Sequence, residues 1–230
     1  LFELILSDGN LMNLWYSLAM SHLQPEEIIT RDTYDATASV WSSAHNQSDF
    51  WAGEMQRFHE LLPGGHILEV GAGGGRDAKM LVELGYKYVG TDVSAGLLNV
   101  ARTNLPQETF VEKSVYDLDL PQAPFDGFWA SAVLLHIPRS RIDEALMRIR
   151  SQMKLRAIGF ISIKDGTTDG LETDIINGNE LQRFFCRWSK DDFQQELERN
   201  SFQVVDYSFR PMSERTKWHC FFVEVAEALN

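Results

Sequence analysis

The sequence predicts an α/β fold, a mostly parallel sheet with helices on both faces and an antiparallel pair of strands late in the chain. Three observations lead there. Residues 66–92, HILEVGAGGGRDAKMLVELGYKYVGTD, read as strand, glycine loop, helix and second strand. Residues 125–135 form a continuous apolar run, the pattern of a central parallel strand buried on both faces. Residues 202–210 and 218–226 alternate as strands do, and the connection between them is too short for a crossover helix.

In chain order, Leu11, Leu14, Trp15 and Leu18 lie at helical spacing within residues 1–30, and Pro25 with Glu26 and Glu27 opens a further short helix. Residues 31–47 are polar around Tyr34 and Trp41 and predict a mobile or partly helical segment. Residues 1–47 thus read as an N-terminal helical extension or lid, ahead of a single globular domain over 48–230. Ser48 or Asp49 caps the next helix, whose buried stripe is Trp51, Met55, Phe58 and Leu62. After the glycine loop, Met80, Leu81 and Leu84 mark a helix that Gly85 terminates, and Tyr86 to Thr91 is the second strand.

Ser94 caps a helix bearing Leu97, Leu98 and Ala101, and Thr109 to Glu112 is the third strand. Ser114 to Asp117 is a loop. The apolar run 125–135 ends at His136, and Pro138 begins a helix with Ile142, Ala145, Leu146, Ile149 and Met153 on one face. Ile158 to Ile163 is the fifth strand, residues 165–188 have no clear pattern, and Ser189 with Asp192 caps a helix through Glu198.

Composition narrows the function. The 230 residues carry 33 acidic against 21 basic side chains, a net charge of −12, which argues against a general nucleic-acid binder. The densest basic run, Arg139 to Arg156, reads as a solvated helix face. No apolar run approaches membrane-spanning length, and the first ten residues lack the features of a signal peptide. Two cysteines, Cys186 and Cys220, predict a reduced pair and a cytoplasmic protein, and no metal-ligand spacing joins them to the six histidines.

The glycine loop decides the ligand class. Four of the five positions 71–75 are glycine, and Asp92 closes the second strand 21 residues after Gly71. Asp92 is placed to accept hydrogen bonds from ribose hydroxyls. Glu69, two residues before the loop, disfavours a pyrophosphate and suits a cation. No Lys-Ser/Thr follows, so the loop is not a P-loop. A ribose joined to a positive group, without pyrophosphate, describes S-adenosylmethionine.

With these residues the chain resembles the class I S-adenosylmethionine-dependent methyltransferases, over roughly residues 34–226. The resemblance rests on ILEVGAGGGRDA (67–78), VGTDVS (89–94), FDGFWASAVLLHIP (125–138) and WHCFFVEVA (218–226), and is closest to small single-domain members acting on small molecules. It implies a Rossmann-like seven-stranded sheet of order 3-2-1-4-5-7-6 with strand seven antiparallel. It implies that Glu69, Gly71, Ala72 and Gly73 line the methionine end of the cofactor, with Arg76 beside a carboxylate. Asp92 would take the ribose, Val93 would pack on adenine, and Ser114, Val115 and Tyr116 would meet the ring edge. Ala130 or Ser131 would touch the methionine portion. Two departures stand out: Ser114 replaces an acidic residue, and Lys154-Leu155-Arg156-Ala157 replaces the turn common before strand five.

Methyl transfer needs chiefly orientation and desolvation, and a base only for a protonated nucleophile. His136 is the candidate base, since it follows the central strand on the ligand side. Tyr34, Trp41, His136, Arg183 and Arg187 are the candidate acceptor-binding residues, the arginines (with Arg76) for an acidic group. Phe184, Phe185 and Trp188 read as packing, though an aromatic wall also suits a sulfonium. The expected partner is a small molecule, with no nucleic acid and no membrane, and the protein a monomer or homodimer. A non-catalytic cofactor-binding subunit of the same fold is the alternative. A nicotinamide dehydrogenase is disfavoured by Glu69 and by the lack of a second dinucleotide-binding half.

Overall fold

A computed structural model of the chain describes residues 23–47, 49–176, 178–214 and 216–227. The expected helix around Leu11 to Leu18 lies outside them. Seven strands form the main sheet: β1 (His66–Val70), β2 (Lys87–Asp92), β3 (Thr109–Glu112), β4 (Phe125–Ser131), β5 (Met153–Lys164), β8 (Phe202–Pro211) and β9 (Lys217–Val225). Their order is β3-β2-β1-β4-β5-β9-β8. Counted within the sheet, this is 3-2-1-4-5-7-6. β9 runs antiparallel to both β5 and β8, while β1 to β5 pair in parallel.

Six helices are described: α1 (Pro25–Ala44), α2 (Ala52–Leu61), α3 (Arg76–Glu83), α4 (Ala95–Asn104), α5 (Ile142–Ser151) and α6 (Lys190–Arg199). Each sheet face carries one apolar cluster. Trp51, Met55 and Phe58 of α2 join Leu81 and Leu98 of α3 and α4 on one face. Ile142, Leu146 and Ile149 of α5 join Phe193 and Leu197 of α6 on the other. The two helix sets cover opposite faces because the parallel crossovers place them there.

Four expectations change. The short helix expected to open at Pro25 does start there but runs on through Ala44, so residues 31–44, expected as mobile or partly helical, are the greater part of α1, whose first turn is held by a Gln24–Glu27 capping box. Trp51, rather than Ser48 or Asp49, occupies the N-cap of α2, so the stripe begins at the cap. β4 stops at Ser131, because Ala132 turns to φ +51°, and His136 therefore sits in a short 3-10 turn (Leu134–His136) beyond the strand. The unpatterned connection 165–188 contains a hairpin, β6 (Asp169–Ile176) and β7 (Asn179–Cys186), paired in register from Asp169↔Cys186 to Ile176↔Asn179. Its strands were illegible because Asp, Glu, Arg and Gln interrupt any alternation. The departing turn before the fifth strand is absorbed within β5, where Arg156 takes φ +65°.

The hairpin does not extend the main sheet. Its free edge is satisfied by α1 and by the turn after β4. Thr30 Oγ1 accepts from Phe184 N (2.8 Å), Thr33 Oγ1 donates to Gln182 O (2.8 Å), and His136 Nδ1 donates to Phe184 O (2.6 Å). Edge groups that would otherwise template association are thus covered by side chains. Helix α1 and the hairpin form a cap over the carboxyl ends of the parallel strands.

Candidate active site

The site starts from the loop after β1. Gly71, Gly73 and Gly75 have φ of +75°, +54° and +83°. A Cβ on Gly71 would lie 2.5 Å from the Val133 side chain, so only glycine lets the loop approach the turn after β4 this closely. Gly71 N and Ala72 N both donate to Thr91 O at 2.8 Å, which ties the loop to β2. Asp92 completes the link. Its carboxylate accepts from Gly73 N and from Ser94 N, each at 2.8 Å. Burial raises its pKa to about 6 despite those donors.

Beneath the loop lies a second acidic group. Glu69 is buried and receives the Tyr88 hydroxyl, and burial, with Asp77 adding to it, holds its carboxyl well above the usual range. The better-connected carboxylate on this wall is Asp77, in the first turn of α3. It accepts from Trp129 Nε1 (3.0 Å), Ser131 Oγ (2.5 Å) and Arg76 Nε (2.6 Å).

Helix α1 closes the opposite side. Tyr116 donates to Glu27 Oε1 (2.5 Å), and Arg141 reaches Glu27 Oε2 (3.3 Å) while its guanidinium stacks 3.5 Å over the Tyr116 ring. Asp35 Oδ1 accepts from Ser94 Oγ (2.6 Å) and Gly96 N (2.8 Å), capping α4 from above. Further along, the Tyr34 hydroxyl lies 3.0 Å from His136 Nε2 and accepts from Arg183 Nη1 at 3.0 Å. Phe184 O can only accept from Nδ1, so Nδ1 carries the hydrogen and Nε2 accepts from Tyr34. Burial pulls the His136 pKa down to about 3, so the ring is neutral.

A cavity of about 560 Å³ is lined by the loop and by α1, with Asp92, Val115, Tyr34, Trp41 and His136 on its wall. That volume suits a nucleoside-sized ligand with its reaction partner. Ser42 Oγ, on its wall, is buried without a partner. Among the described residues no group of three or more His, Cys, Asp or Glu could hold a metal ion, and no helix is long and apolar enough to cross a membrane.

The family profile described as a methyltransferase domain matches residues 67–155. Those residues hold the glycine loop, Asp92, Ser131 and His136. Over those residues the chain is similar to methyltransferase domains. An uncharacterized methyltransferase of Synechocystis sp. is 28% identical over 109 residues, which is 44% of this chain and 51% of that protein, so the match spans about half of that relative. Among solved structures, the 1,6-didemethyltoxoflavin-N1-methyltransferase of Burkholderia thailandensis, with 1,6-didemethyltoxoflavin and S-adenosylhomocysteine bound, is similar at a TM-score of 0.71 and 18% identity, over 89% of this chain and 92% of that one. The magnesium protoporphyrin IX methyltransferase of Synechocystis PCC 6803, with S-adenosylmethionine bound, is similar at 0.67 and 16% identity, over 89% and 99%. These structures share the fold.

Within the methyltransferase domain, Glu69, Gly71, Ala72, Gly73, Arg76 and Asp92 reach the cavity, as do Val93, Ser114, Val115, Tyr116 and Ser131. Ser114 is also a cap, its Oγ accepting from Tyr116 N (3.3 Å). Ala130 does not line the cavity; it is fully buried within β4. Tyr34, Trp41 and His136 line it, but Arg183 stands behind Tyr34, and Arg187 lies on the hairpin paired with Glu172. Asp77, Glu27, Asp35 and Ser42 were missed in the sequence. Only Asp77 had a signal there, as an acid in the first turn after the loop.

Proposed function

We propose that the chain transfers a methyl group from S-adenosylmethionine to a small-molecule acceptor. The observation that carries this is the Asp92 carboxylate, anchored between loop and helix on the wall of a cavity that Tyr34 and His136 also line.

In this reading Asp92 holds the ribose hydroxyls, and Val93 and Val115 pack on the adenine. Glu69, Gly71, Ala72, Gly73, Arg76, Ser114, Tyr116 and Ser131 complete the cofactor wall. The bound cofactor supplies an electrophilic methyl on a sulfonium leaving group. Tyr34 and Trp41 orient the acceptor under α1, which excludes water. His136, a neutral ring accepting from the Tyr34 hydroxyl, holds that phenol in place for the acceptor. A ring with so little affinity for protons suits an acceptor that arrives already anionic or readily ionised. The small-molecule acceptors named for the structural neighbours agree with this class.

The test is isothermal titration with S-adenosylmethionine, followed by assay of S-adenosylhomocysteine formed against an acceptor library. Saturable binding with turnover on at least one small molecule is expected. No binding at high micromolar cofactor would overturn the reading, and binding without turnover on any acceptor would leave a cofactor-binding subunit instead.

A further inference from the structure

The arginines expected from the sequence to hold an acidic acceptor, Arg76, Arg183 and Arg187, are all committed within the fold. Arg76 grips Asp77 through Nε (2.6 Å) and Nη2 (3.2 Å). Arg183 pairs with Asp174 and Arg187 with Glu172, and neither lines the cavity. The cavity wall carries other cations: Lys79, Lys113 and Arg31. Lys79 faces solvent, its side chain 60% exposed, and Lys113 Nζ donates to Asp117 O (3.2 Å). Arg31 differs. Its side chain is only 18% exposed, and its one ion pair among the described residues is with the adjoining Asp32, itself 59% exposed.

Nε and Nη2 of Arg31 both donate to one oxygen, Asp32 Oδ1, at 2.9 and 2.7 Å, and Nη1 has no acceptor among the described residues. The carboxylates one turn away on α1 are spent elsewhere. Glu27 accepts from Tyr116 and pairs with Arg141, and Asp35 caps α4. Tyr34 lies three residues beyond Arg31, the spacing of neighbours on a helix surface. The same stripe of α1 therefore brings to the cavity both this guanidinium and the hydroxyl that orients the acceptor. A guanidinium withdrawn from water is satisfied best by an anion that meets its fork with two oxygens, and an exposed, screened neighbour offering one oxygen does so poorly.

We infer that Arg31 sets the acceptor class: it takes a carboxylate borne on a small apolar body, while Tyr34 meets the reacting end of the same molecule. Asp32 competes for the guanidinium, but an exposed pair of this kind is worth about fivefold at most in an equilibrium constant, so an incoming carboxylate can exchange for it. Val133, Ile137 and Trp41, on the same cavity wall, supply apolar surface for the body. The role of Arg31 in choosing an acceptor rests on the methyltransferase reading, but its hold on a carboxylate does not depend on the donor.

The probes are benzoate and its neutral isostere benzamide, titrated calorimetrically into the whole protein with and without S-adenosylhomocysteine. Benzoate is expected to bind at least about tenfold more tightly than benzamide. Arg31→Met is expected to lose that preference, and Arg31→Lys, which keeps the charge without the fork, to retain only part of it. Asp32→Ala, an exposed change, is expected to tighten benzoate by about twofold to fivefold, because it removes the competing carboxylate. All three variants should bind S-adenosylhomocysteine within about threefold of wild type. Equal binding of benzoate and benzamide, a preference that survives Arg31→Met, or unchanged or weaker benzoate binding in Asp32→Ala would each overturn the inference. A loss of S-adenosylhomocysteine affinity in Arg31→Met as large as the loss for benzoate would assign the guanidinium to the donor and overturn it too. Failure of S-adenosylhomocysteine to bind the wild-type protein would instead overturn the donor reading and leave the benzoate result to judge Arg31 alone.

Discussion

The Tyr34 hydroxyl and Nε2 of His136, 102 positions apart in sequence, lie 3.0 Å from each other. The contact joins the cap to the turn after β4 on the wall of the cavity. It also fixes which ring nitrogen carries the hydrogen, because Nδ1 faces a carbonyl at 2.6 Å.

His136 is therefore expected as the Nδ1–H tautomer. Nitrogen-15 NMR of the imidazole should show a protonated Nδ1 and a bare Nε2. The Nε2 resonance should move in Tyr34→Phe, which deletes its donor. A hydrogen on Nε2 in the wild-type protein would contradict the network.

His136 also gives stability a pH dependence with a definite sign. Its folded pKa is lowered from 6.5 to about 3, so the unfolded chain takes up the proton first. Its contribution is fully present above pH 6.5 and is lost as pH falls from there towards 3. The slope is at most about 1.4 kcal/mol per pH unit. Between pH 7 and 5, His136→Asn should lose about 2 kcal/mol less unfolding free energy than wild type. Parallel profiles from denaturant titrations would contradict the buried neutral ring.

Asp92 works in the same pH sense for the ligand. Its carboxylate form prevails above about pH 6. If that form accepts the ribose hydroxyls, S-adenosylhomocysteine affinity is flat from pH 7 to 8 and falls by up to about tenfold per unit below pH 6. Asp92→Ala should weaken binding at least about tenfold at pH 7.5 by calorimetry. Wild-type affinity that ignores pH across this range would remove Asp92 from the ribose.

Gly71→Ala should destabilise the protein by about 2 kcal/mol or more, since a side chain at φ +75° also meets Val133. Gly53→Ala is the control. It sits in α2 with nothing within 4 Å of a new Cβ, so it should be neutral or stabilising by about 1 kcal/mol. Thermal melts that rank the two the other way would discount the close approach of loop and turn.

Thr30→Val keeps the shape of a helical residue and removes the acceptor for Phe184 N. The expected cost is about 1–2 kcal/mol, confined to the cap. Hydrogen exchange should quicken at 182–186 and leave β1 and β4 protected. Uniform loss of protection would mean that the cap does not open separately.

The legible parts were those governed by local rules. The βαβ unit showed itself because strand, glycine loop and helix each have their own short-range pattern, and Asp92 closed it at a recognisable distance. The main sheet's order followed from the resemblance and agrees with the observed pairing. The start of helix α1 at Pro25 was legible but its full length was not, because Thr30, Thr33, Tyr34 and Asp35 are spent on contacts with the hairpin, His136 and α4, which breaks up an apolar stripe. The hairpin was hidden because its charged side chains pair with one another and with the cap.

By itself, then, the sequence determined the α/β class, the glycine loop and the carboxylate that closes it, since these depend on the order of residues within some thirty positions. The tertiary structure alone decided the charge states and the acceptor end. Burial raised the Glu69 carboxyl and made His136 a neutral ring, and chain segments far apart in sequence brought Tyr34, His136 and Arg183 into contact. Desolvation and long-range contact are properties of the packed chain, and no local spacing encodes them.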